Sequence, residues 1–507
     1  MKSLYFLIFV FSVTETFAQK EANVWITGKD YGIDFNYNRF RVFDRESFRP
    51  NLAAETSVSI CNRETGELLF YSDGSNVWDR NFRIMPNGRD LIGGRLFGQH
   101  ALIVPMPGSS DRYYLFTLQR FEEDYGLYYT VIDMSLNGGL GDVVPGTKNT
   151  MLLSNPLEVL TGTIHDNGRD FWVLTHEDGT DRFVVYPITA QGIMPPVFYP
   201  FGPAYDGSTY GGMIQISPDR SMMAFNISIS QNIDGQVNES SPLEWYDFDP
   251  STGEISNRRV LGEFPSIFTL LFSPDNSKLY FGSYSSPKPA LYDLLWQYDL
   301  SAGSLDEIIQ SLDSTTWGFK TSDRFSTPVP LPSFKLQLAP DGRLYNGAMP
   351  RYPNGNRVIH RILFYLDRPN APLRNAEPKF RFLDSPNNTN LRTDGYGFEQ
   401  AFPNFMQYYF NGLEPIDNSL TPGECAGIVL TVYPNPSEDF VSIKSSIDNC
   451  LFPANIKIYN AFGQFLQEAR IFSEPFPQID IRTYPSGVYF LIIETFNRTE
   501  VKKVIKR

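Results

Sequence analysis

GGMIQISPDRSMMAFNIS, Gly211–Ser228, sets one alternating apolar run against a second across a Pro-Asp turn. Period-two alternation sends successive side chains to opposite faces, so each run reads as a strand. Pro presets φ in the turn, and Asp accepts hydrogen bonds from the backbone just beyond it. The stretch is therefore a β-hairpin. The same layout recurs in TSVSICNRETGELLFYSDG from Thr56, HALIVPMPGSSDRYYLFT from His100 and LTGTIHDNGRDFWVLTHEDG from Leu160. It returns in FTLLFSPDNSKLYFGSY from Phe268 and FKLQLAPDGRLYNGAM from Phe334. The second strands start near Leu68, Tyr113, Phe171, Met222, Leu279 and Leu344, a spacing of roughly 45 to 65 residues.

A further strand follows each hairpin, most plainly in LEWYDFDPSTGEI, 243–255, and LWQYDLSAGSL, 295–305. Units of three or four strands at this spacing are blades of a β-propeller with loop insertions. A β-sandwich, the main competitor, needs only about seven to nine strands, and this region offers many more. NVWITGKDYGIDFN, Asn23–Asn36, with FRVFD after it supplies a seventh, less regular unit, whereas NFMQYYF, Asn404–Phe410, is a lone strand without a hairpin. A ring must close, so 404–410 is expected to pair beside the strands near Trp25. The expectation is an all-β chain: a seven-bladed β-propeller over 19–411, a linker over 412–426 and a small β-sandwich over 427–507.

Composition agrees with a large folded body, at 507 residues, 42% hydrophobic and 15% aromatic. The net charge of −14 lies in the body, because the last eighty residues are nearly neutral. An acidic body lacks the basic footprint that nucleic acid or an anionic membrane requires. MKSLYFLIFVFSVTETFAQ has Lys2, an apolar run from Leu4 to Val13 and a small Ala18 before Gln19, the parts of a secretory signal peptide over 1–18. No later run is long and apolar enough to span a membrane, so no transmembrane segment is expected in the mature chain. Three cysteines are too few for a disulfide framework. Cys61 reads as a packed thiol, while Cys425 and Cys450, both near the terminal domain, form a possible disulfide.

After the Gly/Pro-rich linker come LTVYPNP, FVSIKSS, NIKIYNAFGQFLQEARI, QIDIRTYPSGVYFLIIET and VKKVIKR, several of them alternating as strands of a compact sandwich. YPNPSEDFVSI, IKIYNAFGQ, IDIRTYPSGVYFLII and the closing VKKVIKR, in that order, resemble the type A C-terminal sorting domain of the type IX secretion system. The resemblance implies export through the periplasm, recognition by the secretion machinery, and a final place at the cell surface or in the medium. It places the sorting signal on Pro434, Asn435, Pro436, Gly463, Gly487, Val488, Tyr489, Lys502 and Lys503. The body resembles an uncharacterised group of secreted propeller-like proteins, through WITGKDYGIDFN, GELLFYSDGSNVWDRNFRIMPNG, HALIVPMPG, LYYTVIDMSLNGGLGDV, GRDFWVLTHE and LAPDGRLY. That resemblance implies architecture and no activity.

Chemistry is harder to find. His165 sits at the turn end of one hairpin and His176 about six residues up its returning strand, about 20 Å away at about 3.3 Å per residue, too far to share an ion. No metal or cofactor motif is present, and SDGSNVWD, Ser72–Asp79, lacks the ligand spacing of a calcium loop. Strand direction puts His100, His176, Tyr205, Asp206 and Tyr210 at one propeller face, where aromatic and carboxylate groups suit an extracellular glycan or protein ligand. The body thus reads as a non-enzymatic binding or adhesion module. The alternative is a glycoside hydrolase or lyase at the channel mouth, which would need two converging carboxylates.

Overall fold

The computed structural model describes residues 19–27, 31–37, 40–43, 56–94, 99–119, 125–205, 209–233, 236–284, 293–315, 318–319, 329–330, 336–346, 362–382, 402–413, 429–445, 454–471, 479–495 and 499–507. Residues 1–18, with the expected cleavage residue Ala18, lie outside that set, as do Asp206, Cys425 and Cys450.

Among the described residues, seven antiparallel sheets of three to five strands follow one another along the body. The first holds Val24–Thr27, Tyr31–Asp34 and Arg41–Phe43, and the second Val58–Cys61, Leu68–Ser72 and Val77–Asp79. The third begins Ala101–Pro105, Arg112–Gln119, Gly126–Asp133, and the fourth Thr161–Ile164, Phe171–His176, Arg182–Thr189. The fifth is Thr209–Ile216, Met222–Ile233, Gln236–Asp249, Glu254–Phe264. The sixth is Ile267–Phe272, Lys278–Tyr284, Asp293–Asp299, Asp313–Thr315, and the seventh Leu336–Leu338, Leu344–Asn346, Ile362–Leu366, Pro378–Phe382. Each runs as a meander in chain order, except that in the third and fourth a fifth strand, Thr150–Leu153 or Val197–Pro200, returns to pair with the third, and the first strand of each sheet lies beside the first strand of the next. Trp25 packs edge-on against Tyr345, with ring centroids 5.7 Å apart, which joins the first sheet to the seventh. This is the architecture of a β-propeller.

The apolar faces meet between neighbouring sheets. Ile60, Phe70, Ile103 and Leu115 fill the space between the second and third, and Leu174, Phe183, Ile214 and Phe225 that between the fourth and fifth. Leu243, Leu270, Phe281 and Tyr298 do the same between the fifth and sixth.

The Pro-Asp hairpins of the fifth and sixth sheets share one turn. In Ser217–Ser221, Asp219 accepts from Ser217 Oγ at 2.6 Å and from the Ser221 amide at 3.0 Å, while Asp275 accepts from Ser273 Oγ at 2.7 Å and the Ser277 amide at 3.0 Å. The residue after each Asp, Arg220 or Asn276, has φ of 70° or 65°. The equivalent positions in the fourth and seventh sheets are Gly168 and Gly342, at 69° and 75°, where the missing Cβ removes the steric objection.

Closure differs from the sequence expectation. Gln407–Phe410 is a 3-10 turn and not a strand, and residues 402–406 are extended without strand pairing. The segment does fall beside Trp25, whose ring meets Phe402 at 5.1 Å and Phe405 at 6.1 Å. The first sheet shows what is unusual there. Ser59 Oγ donates to the Val24 carbonyl at 2.7 Å and Ser57 Oγ to that of Ile26 at 2.5 Å, so Val24–Thr27 runs opposite to Val58–Cys61. Residues 402–413 then pass along the axis. The Asn404 amide donates to the Ser57 carbonyl at 2.9 Å, and its Nδ2 to those of Ala101 and Leu160, each at 3.0 Å. At the other end Gly412 donates to Pro274 at 2.9 Å, in a hairpin turn. NFMQYYF alternates enough to read as a strand, but Phe405–Phe410 are buried without alternation, which a one-sided strand does not show.

The C-terminal unit holds two sheets. One orders Leu430–Tyr433, Phe440–Ser445 and Ile479–Asp480; the other orders Phe465–Ile471, Ala454–Asn460, Gly487–Thr495 and Thr499–Lys506. Val441, Ile443, Ile456, Ile458, Leu491, Ile493 and Val504 form the core between them. The alternation read in the sequence becomes the inner faces of a sandwich.

Candidate functional site

The first strands of the second to fourth sheets begin at one end of the propeller, where Asn404 bridges them, and His100, His176 and Tyr205 lie at that end. His100 and Glu158 each precede a first strand, and both side chains are buried, with Nε2 3.6 Å from Oε1. Glu158 Oε2 accepts from the Gly211 amide at 2.7 Å, tying the fourth sheet to the fifth. A Cβ on Gly94 would stand 2.3 Å from His100 Nδ1, so only glycine lets this backbone cover the imidazole. Gln99, beside His100, donates to the Ile214 carbonyl and accepts from its amide, both at 2.9 Å.

His176, at the end of Phe171–His176, stacks on Phe225 at 5.6 Å and meets the edges of Phe183 and Tyr205 at 4.8 and 5.5 Å. Burial in this aromatic box pushes its pKa down to about 4, outweighing the opposing effect of the Glu177 carbonyl, 2.9 Å from Nδ1. Tyr205 is held by backbone bonds to Gly179 and Thr180, and its hydroxyl donates to Glu244 Oε1 at 3.1 Å. The fully buried Glu244 also takes the Tyr246 hydroxyl and the Arg258 guanidinium, whose Nε lies 3.1 Å away. Burial, reinforced by the Glu244 charge, raises the Tyr205 and Tyr246 pKa values above the ordinary tyrosine range.

Strand direction thus brings His100, His176 and Tyr205 to one end, and their rings all turn into the interior. Tyr210 lies in Thr209–Ile216, paired with Ser228. Sequence reasoning missed Glu158, Glu244, Gln99 and Asn404. Glu244 had a signal: alternation puts it on the face of Tyr246 and Phe248, both buried, and a carboxylate there demands partners. Among the described residues, no cluster of three or more His, Cys, Asp or Glu is arranged to hold a metal ion.

The sorting residues meet differently. Asn435 Nδ2 donates to the Lys503 carbonyl at 2.7 Å, and its Oδ1 accepts from the Ile505 amide at 3.0 Å. Ser437 donates its amide to the Ile505 carbonyl and accepts the Arg507 amide, both at 2.9 Å. The Pro434-Asn435-Pro436-Ser437 turn therefore covers the edge of the closing strand, joining two stretches almost seventy residues apart. Gly463, at φ 78°, makes the turn over Asn460, whose Oδ1 accepts from the amides of Phe462 and Gln464 at 3.0 Å. Gly487 and Val488 pair with Lys506 and Ile505, Tyr489 donates to the Pro485 carbonyl at 2.7 Å, and Lys502 pairs with Glu500 at 2.7 Å.

Residues 431–507 match the family of secretion system C-terminal sorting domains. The terminal unit is a type IX sorting domain. It marks the chain for export to the cell surface or medium, and by its nature it addresses the secretion machinery. No curated protein matches the chain. Among solved structures it is similar to hydrazine synthase of Kuenenia stuttgartiensis, at 12% identity and a TM-score of 0.35 over 69% of this chain and 98% of that one. A chain from a study of two prolyl endopeptidases gives 9% and 0.33, over 94% and 54%. A Dos1 propeller gives 8% and 0.29, over 64% and 73%. No helix among the described residues is long and apolar enough to cross a membrane.

Proposed function

We propose that this chain is a binding or adhesion module of the cell surface or medium, a seven-bladed propeller delivered by its sorting domain after removal of residues 1–18. The observation that carries the reading is the occupied axis. Residues 402–410, all buried except the half-buried Asn404, lie along the line where a propeller enzyme would open its channel, and Asn404 ties three first strands together there. The competing hydrolase or lyase reading needs room for substrate between two carboxylates at that mouth. The best-placed buried carboxylates, Glu158 and Glu244, are instead engaged in holding neighbouring segments.

A second feature supports recognition at the end where the first strands begin. In the fifth sheet Thr209 pairs with Ile229 and Phe264 with Ser241, but Ser230–Ile233 pairs only with Gln236–Glu239. This hairpin projects past its sheet by roughly 13 Å at about 3.3 Å per residue. Its sequence, QNIDGQVN over 231–238, is mostly polar, a composition suited to hydroxyl-rich glycans or to peptide backbone. Asp206, just before the same sheet in sequence, and Tyr210, in its first strand, remain the contact candidates of the original five, since His100, His176 and Tyr205 turn into the interior.

The test is a glycan and protein array with the purified chain, beside a hydrolysis screen on extracellular polysaccharides. The expected result is saturable binding that is lost when residues 231–238 are replaced by a two-residue turn, without a change in melting temperature. Turnover of a polysaccharide by the parent chain would contradict the reading.

A further inference from the structure

At the end of the propeller where the first strand of the second sheet finishes, residues 20–23 form a turn closed by the Asn23 amide on the Lys20 carbonyl at 3.1 Å. The Glu21 carbonyl accepts from the Cys61 amide at 2.9 Å, which fixes this turn against the second sheet. Glu21 itself is 5% exposed. Its Oε1 lies 3.6 Å from Arg63 Nε, longer than a charge-assisted hydrogen bond, and the Arg63 side chain is 62% exposed. Its Oε2 is buried and has no hydrogen-bond partner among the described residues. A buried carboxylate oxygen left in that state is costly, and burial accordingly pushes the Glu21 pKa up.

Three tyrosines share this end. Burial raises the pKa of Tyr113, to about 12, and those of Tyr408 and Tyr409, and the Glu21 charge adds to all three, so their hydroxyls lie within its field and stay neutral. None of the three donates to Oε2. One negative charge among neutral phenols disfavours an anionic ligand. A hard metal ion wants several carboxylate or carbonyl oxygens, and Glu21 belongs to no cluster of three or more His, Cys, Asp or Glu among the described residues. A primary ammonium fits better, since it brings three N–H donors on one charge and is attracted by aromatic rings. We propose that Glu21, behind Arg63 and among Tyr113, Tyr408 and Tyr409, receives a lysine side chain of a partner protein, whose ammonium displaces Arg63 and donates to Oε2. The flexible four-carbon stem of lysine reaches a carboxylate set below the surface, which an amino group fixed on a sugar ring does not. This site lies at the opposite end of the propeller from the hairpin of residues 230–239 and uses none of its residues.

The test is calorimetric titration of the purified chain with Nα-acetyl-lysine amide, beside Nα,Nε-diacetyl-lysine amide and glucosamine. The parent is expected to bind the lysine probe saturably and neither of the other two. Glu21→Gln, which keeps the shape and removes the charge, should weaken binding at least tenfold. Arg63→Ala, which removes the competing cation from an exposed position, should strengthen it at least twofold. Both variants should melt at or above the parent temperature, and if Glu21→Gln melts lower, the Arg63→Ala comparison decides. Replacement of residues 231–238 should leave lysine binding unchanged, so the two ends of the propeller are read separately. No saturable binding by the parent, equal binding by Glu21→Gln, or weaker binding by Arg63→Ala would overturn the proposal. Glucosamine binding as tight as that of the lysine probe would overturn the choice of a protein partner. Binding that appears only when residues precede Gln19 would overturn it as well, because the site would then belong to the α-ammonium of the chain itself.

Discussion

Asn404 in the propeller and Asn435 in the sorting domain both use a side-chain amide to join distant parts of the chain, under opposite conditions. Asn404 works in the interior, where it reaches carbonyls of two buried residues, Ala101 and Leu160, and its own amide takes a third from Ser57. Asn435 is exposed and satisfies the edge of the last strand from outside. A buried acceptor that loses its partner stays desolvated, whereas an exposed one turns to water. The propeller is thus closed by contacts that stability depends on, and the sorting domain by contacts that set the position of one strand.

The largest effect expected from this contrast follows removal of residues 402–413, which strips the axis and exposes Trp25, Phe171 and three strand ends. The body should aggregate or lose its cooperative melt, and calorimetry of the purified chain would show it; an unchanged transition would mean that the ring closes without this segment. Asn404→Ala is the sharper form of the same experiment. With two buried carbonyls orphaned it should lower stability by about 4 kcal/mol, against about 1 kcal/mol for Asn435→Ala. Chemical denaturation followed separately in the two units would read both, and equal losses would erase the distinction.

Acid should also tell the interior from the surface. His176 is held neutral with a pKa of about 4, below the 6.5 of an open chain. The unfolded chain therefore takes up its proton first as pH falls, and stability declines from about pH 6.5 down to about 4 and levels off below it. A shift of that size corresponds to about 3 kcal/mol at full extent. Melts of the parent and of His176→Gln should converge as pH falls through that window, and parallel curves would show that the aromatic box does not hold the imidazole neutral. Asn435→Ala, the smallest change in stability, should still raise the hydrogen-exchange rate of the Ile505 amide severalfold.

The contrast also explains what the sequence disclosed. Repetition made the body legible, since SPDRS, SPDNS and APDGR build one turn with one left-handed position, and alternating strands on either side fix the meander. The sandwich was legible for the same reason, and its sorting motifs specified it further. Closure was not legible, because NFMQYYF alternates like a strand while its role depends on being surrounded by other sheets. His100, His176 and Tyr205 show the same limit: strand direction gives the end of the propeller at which a residue lies, but not whether its ring turns inward. For His100 and Tyr205 that outcome was set by Glu158 and Glu244, far away in sequence.

The central claim is that address and cargo are separable units, and deletion of residues 427–507 tests it most directly. Fractionation of a type IX-competent host expressing the truncated chain, with the melt of the retained protein, gives both answers in one sample. The account predicts a propeller trapped in the periplasm with the melting temperature of the body in the parent. Truncated protein at the surface or in the medium in parental amount, or a retained protein without a cooperative melt, would contradict it.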